Sequence, residues 1–412
     1  MPPDFGIVRS LTRHLKQFWY ACVHRLCVRI FFERVTLLQR EHLPASGPTL
    51  YLGLHRNGAV DGFVYQQVLP RAIFLISTQL RRGLFARLFF HGITVARKTD
   101  EEDRRHNDEA LRECLQLLNG GGELFIFPEG TSSLGACHLP FKSGAARLAL
   151  DALERGIPLH IVPLGIHYER AWAFRSNVEV VIGEPIDTVF PPDSSPLGRL
   201  KEMKRRIVTA LESVGANFSS SEAQEHAQRI ASAATLGTTR SYFSALKSLE
   251  AGAPESLLAQ CQELTSQLTP RRLRLDDDLP ACPMESWPLA LLQLLTPGPI
   301  VLAGALINLP PLFLGWLAAH VLADDRNVIA LWRILVGVPV FVIWFVAINL
   351  GLAFLAGGGW VLAYILLTGA ALKLFGHTRR LAVAVWDRLA HRDLASRVRQ
   401  FHQSVQQTFA HP

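Results

Sequence analysis

Thr49-Leu50-Tyr51-Leu52-Gly53-Leu54-His55-Arg56-Asn57-Gly58-Ala59-Val60-Asp61-Gly62 decides how this chain folds. An apolar run ends at a histidine, a short polar turn follows, and helical periodicity takes over from Gly62. Working outward, the same alternation recurs. Strands are expected at Thr49–Leu54, Ala72–Ser77, Ile93–Ala96, Glu123–Phe127, His160–Ile166 and Asn177–Ile182. Helices are expected at Gly62–Val68, Leu84–Phe90, Glu101–Leu118, Ser143–Arg155 and Leu197–Val214. Strand and helix in alternation argue an α/β sheet with helices on its faces.

The same stretch carries the first candidate chemistry. A histidine at a strand end can take a proton from a hydroxyl and return one later. An aspartate behind it, Asp61, can hold the useful tautomer and steady the imidazolium. Taken alone, a His–Asp pair is more often structural. A second signal is Glu123-Leu124-Phe125-Ile126-Phe127-Pro128-Glu129-Gly130-Thr131-Ser132-Ser133. It delivers a carboxylate and several hydroxyl donors to the carboxyl end of a strand, where α/β folds bind ligands. Lys142, opening the next helix, suits an anion. A third is Gly92-Ile93-Thr94-Val95-Ala96-Arg97-Lys98, a strand that brings two cations to the region. Ile157-Pro158-Leu159-His160-Ile161-Val162-Pro163-Leu164-Gly165 reads first as packing.

The chain has 412 residues, 49% of them hydrophobic, and a formal charge of +7. Such a charge fits nucleic acid, anionic lipid or a phosphorylated substrate. Long apolar spans favour lipid, and no basic–aromatic interleaving points to nucleic acid. The six cysteines form no CxxC pair and read as reduced thiols rather than a zinc framework. Residues 9 to 34 pattern as a basic amphipathic helix with Trp19, Val23, Leu26, Cys27 and Ile30 on one face. That helix either lies in a headgroup layer or packs on the enzyme core.

Three apolar segments close the chain. Pro299–Leu322 is interrupted by Asn308, Pro310 and Pro311, Ile334–Ala356 is a clean span, and Trp360–Phe375 is a short one. Arginines after Phe375 favour a cytoplasmic tail. A broken or re-entrant first segment followed by a hairpin would leave the catalytic half and the tail both facing the cytoplasm; three full crossings are the alternative.

In this order the motifs resemble the phospholipid and glycerol acyltransferase family (PlsC-like) over about residues 40 to 190. Glu41-His42-Leu43-Pro44 with Gly47-Pro48 resembles the family's lead-in. The resemblance implies an α/β fold with a mixed sheet flanked by helices, followed by a helical extension and C-terminal membrane helices. Together with the residue pattern, the resemblance divides the chain into an amphipathic membrane-interface helix (1–40), an acyltransferase domain (41–215), a helical extension or linker (216–290), a membrane segment (291–376) and a basic cytoplasmic tail (377–412). It implies His55 as general base, Asp61 as its partner, Arg97 on the acceptor phosphate, Glu129 and Gly130 shaping the acceptor site, and Pro163 in the last motif. The donor would be acyl-CoA or acyl-ACP, the acceptor a glycerol-phosphate-type alcohol. No metal or organic cofactor is expected.

Two departures stand out. Five residues separate His55 from Asp61 where the usual motif has four. A branch resembling fungal glycerol-3-phosphate acyltransferases shares that gap, with an Asn placed like Asn57, and carries C-terminal spans. Ser132 stands where many members have arginine, so Arg56, Lys98 or Lys142 would substitute, or the acceptor is not a simple phosphate monoester. Thr131 and Ser132 lie in the turn expected to stabilise an oxyanion. The rival readings are another lipid alcohol as acceptor and a non-catalytic membrane protein with a decayed domain. A serine hydrolase is discounted because Gly130-Thr131-Ser132-Ser133-Leu134-Gly135 is not a nucleophile elbow. A transporter is discounted because the clean span lacks ionisable residues.

Overall fold

A computed structural model describes residues 5–81, 83, 86–96, 104–268, 287–390 and 392–410. Its centre is a seven-stranded sheet: β1 (Arg34–Leu38), β2 (Thr49–Gly53), β3 (Ile73–Ser77), β4 (Ile93–Val95), β5 (Glu123–Ile126), β6 (His160–Tyr168) and β7 (Asn177–Ile182). The spatial order is β1-β7-β6-β2-β5-β3-β4. All neighbours run parallel except β6 and β7, which are antiparallel, so the sheet is mixed.

Central β2 is buried at every position, between β5 and β6. Buried on both faces, a parallel strand reads as a continuous apolar run, which is why Thr49–Gly53 was legible. Gly53 has a steric reason: a Cβ there would meet the Phe125 ring at 2.2 Å. Helices α1 (Phe5–Phe31) and α2 (Val60–Val68) cover one face of the sheet, with Phe31, Phe32, Phe63, Tyr65 and Phe125 in that core. Between β3 and β4 lies the short α3 (Ala86–Phe89). On the opposite face, α4 (Arg104–Asn119), α5 (Gly144–Glu154) and α6 (Pro196–Ser213) pack on Leu50, Leu52, Leu124 and Ile161.

Three findings revise the sequence reading. The sheet takes in Arg34–Leu38, pairing Arg34 with Asn177 and Leu38 with Val181. An edge strand with one exposed and four half-buried positions lacks the apolar signal of β2. The helix before it docks on the core: Cys27, Val28 and Phe31 are buried, Trp19 Nε1 donates to the Leu88 carbonyl at 3.1 Å and Tyr20 to that of Arg87 at 2.6 Å. Phe18 remains 70% exposed, so an exposed apolar strip coexists with the packed one. The stretch after α6, expected as a linker or helical extension, is helical and packs with the last helix. Helices α7 (Ser221–Thr235), α8 (Tyr242–Ser248) and α9 (Glu255–Leu268) share a core with Leu394, Val398, Phe401 and Val405 of the last helix, α15 (Arg392–Ala410).

The apolar region comprises α10 (Trp287–Leu294), α11 (Pro297–Ile307), α12 (Leu309–Leu322), α13 (Arg326–Leu355) and α14 (Gly358–Ala390). Helices α13 and α14 are long and apolar enough to cross a membrane; α10 and α11, bent by 45°, would add a third span if taken as one. The break expected near Asn308 separates α11 from α12. There the Asn308 side chain donates to the Gly304 carbonyl at 2.9 Å and accepts from Tyr364 at 2.9 Å. Phe354 and Leu355, 89% and 82% exposed, have an outward face fit for lipid. Helix α14 runs well past Phe375, so the short span and the first part of the basic tail are one helix.

Burial holds the His24 and His167 imidazoles down at about 4, against an ordinary value of 6.5. His167 donates from Nε2 to the Val214 carbonyl at 2.8 Å, which suits the neutral ring. The unfolded chain takes up these protons below 6.5 and the folded chain not until about 4. Their stabilising neutrality is therefore complete above 6.5 and lost progressively as pH falls through that window. Denaturation in neutral detergent should show lower stability at about pH 5 than at about pH 7, and His167→Gln should shrink that difference by roughly 2 kcal/mol.

Candidate active site

His55 and Glu129 emerge from the carboxyl ends of β2 and β5, adjacent parallel strands, so their loops meet above the sheet. Asp61 lies in the first turn of α2, where the helix dipole favours a carboxylate. Gly58 turns the chain between them at φ +54°. Five intervening residues still close the contact: His55 Nδ1 and Asp61 Oδ2 are 2.9 Å apart.

Asp61 is fully buried, yet its oxygens are well supplied with donors. Oδ2 also accepts the backbone N–H of Arg56 at 2.6 Å and of Asn57 at 2.8 Å. Oδ1 accepts the Tyr168 hydroxyl at 2.6 Å. Burial, with the Asp61 charge beside it, pushes the Tyr168 phenol well above its ordinary range, so it remains a donor. The His55 ring stacks on Phe127 with centroids 4.0 Å apart. With Nδ1 turned to Asp61, Nε2 has no partner among the described residues and is the atom left for a substrate.

Glu129 was expected to shape the acceptor site; the structure uses it as a tie between loops. Its Oε1 accepts the His55 N–H at 2.8 Å and its Oε2 the Leu139 N–H at 3.0 Å, and it is 2% exposed. Burial raises its pKa, and those two hydrogen bonds and the nearby Arg56 pull the other way. Arg56 reaches over the site, donating from Nη2 to the Gly135 carbonyl at 2.8 Å, while its Nη1 is buried without a partner. Asn57 is fully buried and donates to the Ala171 carbonyl at 2.7 Å. Gly130, at φ +72°, leaves room for Lys142, whose Nζ would lie 2.3 Å from an added Cβ. Thr131 and Lys142 are exposed on the same rim. Arg97 and Lys98 lie outside the described residues.

Ser132 has a partner that sequence spacing could not show. Asn327, in the first turn of α13, donates from Nδ2 to the Ser132 carbonyl at 3.2 Å and stands 3.1 Å from its hydroxyl. Its own carbonyl would lie 3.0 Å from a Cβ on Gly58. Nearly two helical turns further, Arg333 donates to the Trp172 carbonyl at 3.0 Å, and Arg326 lies 4.6 Å over the Trp172 ring. The start of a candidate membrane span is thus seated on the loops that carry His55 and Ser132. Among the described residues, no group of three or more His, Cys, Asp or Glu is placed to hold a metal ion.

Residues 34–167 match the family described as Acyltransferase. These residues are an acyltransferase domain of that family. Among curated relatives, a 1-acyl-sn-glycerol-3-phosphate acyltransferase of Chlamydomonas reinhardtii is 28% identical over 163 residues, 39% of this chain and 47% of that one. Glycerol-3-phosphate O-acyltransferase 2 of Saccharomyces cerevisiae is 32% identical over 117 residues, 27% of this chain and 16% of that one. This chain therefore spans less than half the length of either. Among solved structures, the 1-acyl-sn-glycerophosphate acyltransferase PlsC of Thermotoga maritima aligns with 52% of this chain and 89% of its own, at TM-score 0.35 and 19% identity.

Tyr168→Phe strips Asp61 Oδ1 of the Tyr168 hydroxyl inside a sealed pocket. The expected cost is on the order of 1–3 kcal/mol in stability, read by chemical denaturation, because a buried acceptor loses its donor.

Proposed function

We propose that this chain moves a fatty acyl group from an acyl thioester, acyl-CoA or acyl-ACP, to a hydroxyl of glycerol 3-phosphate or 1-acyl-glycerol 3-phosphate. The reaction would take place at a membrane surface with the catalytic unit on the cytoplasmic side. The observation that carries the reading is the His55–Asp61 contact, with Asp61 held from two backbone N–H groups and Tyr168 and His55 Nε2 left open. The names of the relatives supply the acceptor class.

In this reading, His55 Nε2 removes the acceptor's hydroxyl proton as that oxygen attacks the thioester carbonyl carbon. Asp61 stabilises the imidazolium that forms. The tetrahedral oxyanion collapses, the C–S bond breaks, and the departing sulfur takes the proton back from Nε2. The products are an ester and a free thiol. In the Gly130–Ser133 turn, the Gly130 N–H already donates to the Phe127 carbonyl and the Ser133 N–H to that of His55. The Thr131 and Ser132 N–H groups are then the oxyanion donors of that turn. Arg56 and Lys142, with Arg97 and Lys98 beyond the described residues, are the cations for the acceptor phosphate. Because α13 starts against Ser132, the donor's acyl chain, and that of a 1-acyl acceptor, would reach the site from its lipid-facing side.

His55→Ala should lower acyl transfer by about 100-fold or more, with the fold intact. The assay is labelled ester formation from acyl-CoA and glycerol 3-phosphate or 1-acyl-glycerol 3-phosphate. Wild-type rates in that variant would remove His55 from the chemistry.

A further inference from the structure

A cavity of about 610 Å³ lies between the β1–β7 edge, α7, α8 and the charged end of α14. Neither His55 nor Asp61 lines it. The reason is strand alternation: Tyr168 points to Asp61, whereas its neighbour His167 points to the other face of β6 and lines the cavity. Its volume is that of a ligand site.

The lining is cationic. Seven arginines face four glutamates; three of the glutamates accept hydrogen bonds, and Glu33 has Arg380 near it while its buried Oε2 accepts no hydrogen bond. Glu179 accepts the Ser241 hydroxyl and the N–H groups of Tyr242 and Phe243, capping α8. Glu225 lies 3.3 Å from Arg229, and Glu33 lies 3.8 Å from Arg380. Glu169 accepts the Asn177 amide at 3.1 Å. The arginines therefore exceed the carboxylates by three. Arg34, on the edge strand, is exposed and has no ion pair among the described residues. Arg240 lies over the Phe409 ring and donates to the Phe409 carbonyl, yet its other terminal nitrogen, Nη1, is buried with no partner. A cavity with surplus guanidinium groups and an unsatisfied buried donor is shaped for an anion with several oxygens.

Its depth says where that anion comes from. The contribution of α14 is Phe375, Gly376, His377, Arg379 and Arg380, where the apolar span gives way to charge. Helix α13 joins α14 through a short turn, so this end of α14 lies beside the Arg326 end of the hairpin. Trp172 confirms the level: its ring lies under Arg326 and also lines the cavity. A basic pocket at the end of membrane helices sits at headgroup depth.

We propose that this cavity binds the phosphate headgroup of an anionic bilayer lipid, at a site separate from the catalytic pair. The assignment stands independently of acyl transfer. The test titrates the full chain in neutral detergent with short-chain phosphatidylglycerol, short-chain phosphatidylcholine and inorganic phosphate, counting bound molecules by native mass spectrometry. Phosphatidylglycerol should bind saturably and about tenfold tighter than phosphatidylcholine, with phosphate a weak competitor. Arg34→Gln removes a cation at the mouth, and Gln228→Glu adds a negative charge to the lining with almost no change of shape. Each should weaken phosphatidylglycerol binding about fivefold, the contribution of one charge near a lipid surface. His55→Ala should leave it unchanged. Equal binding of the two lipids, unaltered affinity in both charge variants, or loss of binding in His55→Ala would overturn the proposal. Phosphate competing as strongly as the lipid would also overturn it, assigning the site to a free phosphate.

Discussion

The Asp61 carboxylate is the point on which the rest of the site depends. It is fully buried, and an unpaired carboxylate at that depth would cost several kcal/mol. Donors from two parts of the chain meet it: the His55 ring and the Arg56 and Asn57 backbone from the loop after β2, and the Tyr168 hydroxyl from the end of β6. Satisfying that one group fixes the imidazole, the turn after it and the register between two strands.

A second constraint ties this loop to the apolar hairpin. Glu129 links the His55 and Leu139 backbones, and Asn327 links Ser132 to the first turn of α13. Buried Ala330, Ile334 and Val338 continue that seam into the core that holds Phe63 and Tyr65. The catalytic loops and the start of a membrane-length helix are therefore one packed unit. In the proposed reaction this arrangement would hold the reacting atoms where an acyl chain can remain in an apolar environment.

Much of this was legible in the sequence, for physical reasons. β2, β5 and β6 are buried strands with continuous apolar runs, and the His–Asp spacing lies within one strand–turn–helix unit. β1 was missed because a half-buried edge strand has no such run and follows a helix without a break signal. Tyr168 and Asn327 were missed because their partners are 107 and 195 residues away in the chain. A tyrosine ending a strand or an asparagine opening a helix carries no mark of such contacts. Ser132 appeared as a lost phosphate ligand; in the structure that position is where the apolar hairpin docks. Glu129 was recognised as important, but its partners, the His55 and Leu139 backbones, were not legible, because a carboxylate at a strand's end looks the same whether it faces substrate or backbone.

The central claim is that Asp61 holds His55 with its proton on Nδ1 and its lone pair on Nε2. Nitrogen-15 NMR of the full chain with labelled histidine, the His55 signals assigned by their disappearance in His55→Gln, reads that tautomer directly at mildly alkaline pH. The account predicts a protonated Nδ1 and an unprotonated Nε2, with the bias lost in Asp61→Ala. A proton on Nε2 in the wild-type chain, or a tautomer indifferent to Asp61, would contradict it.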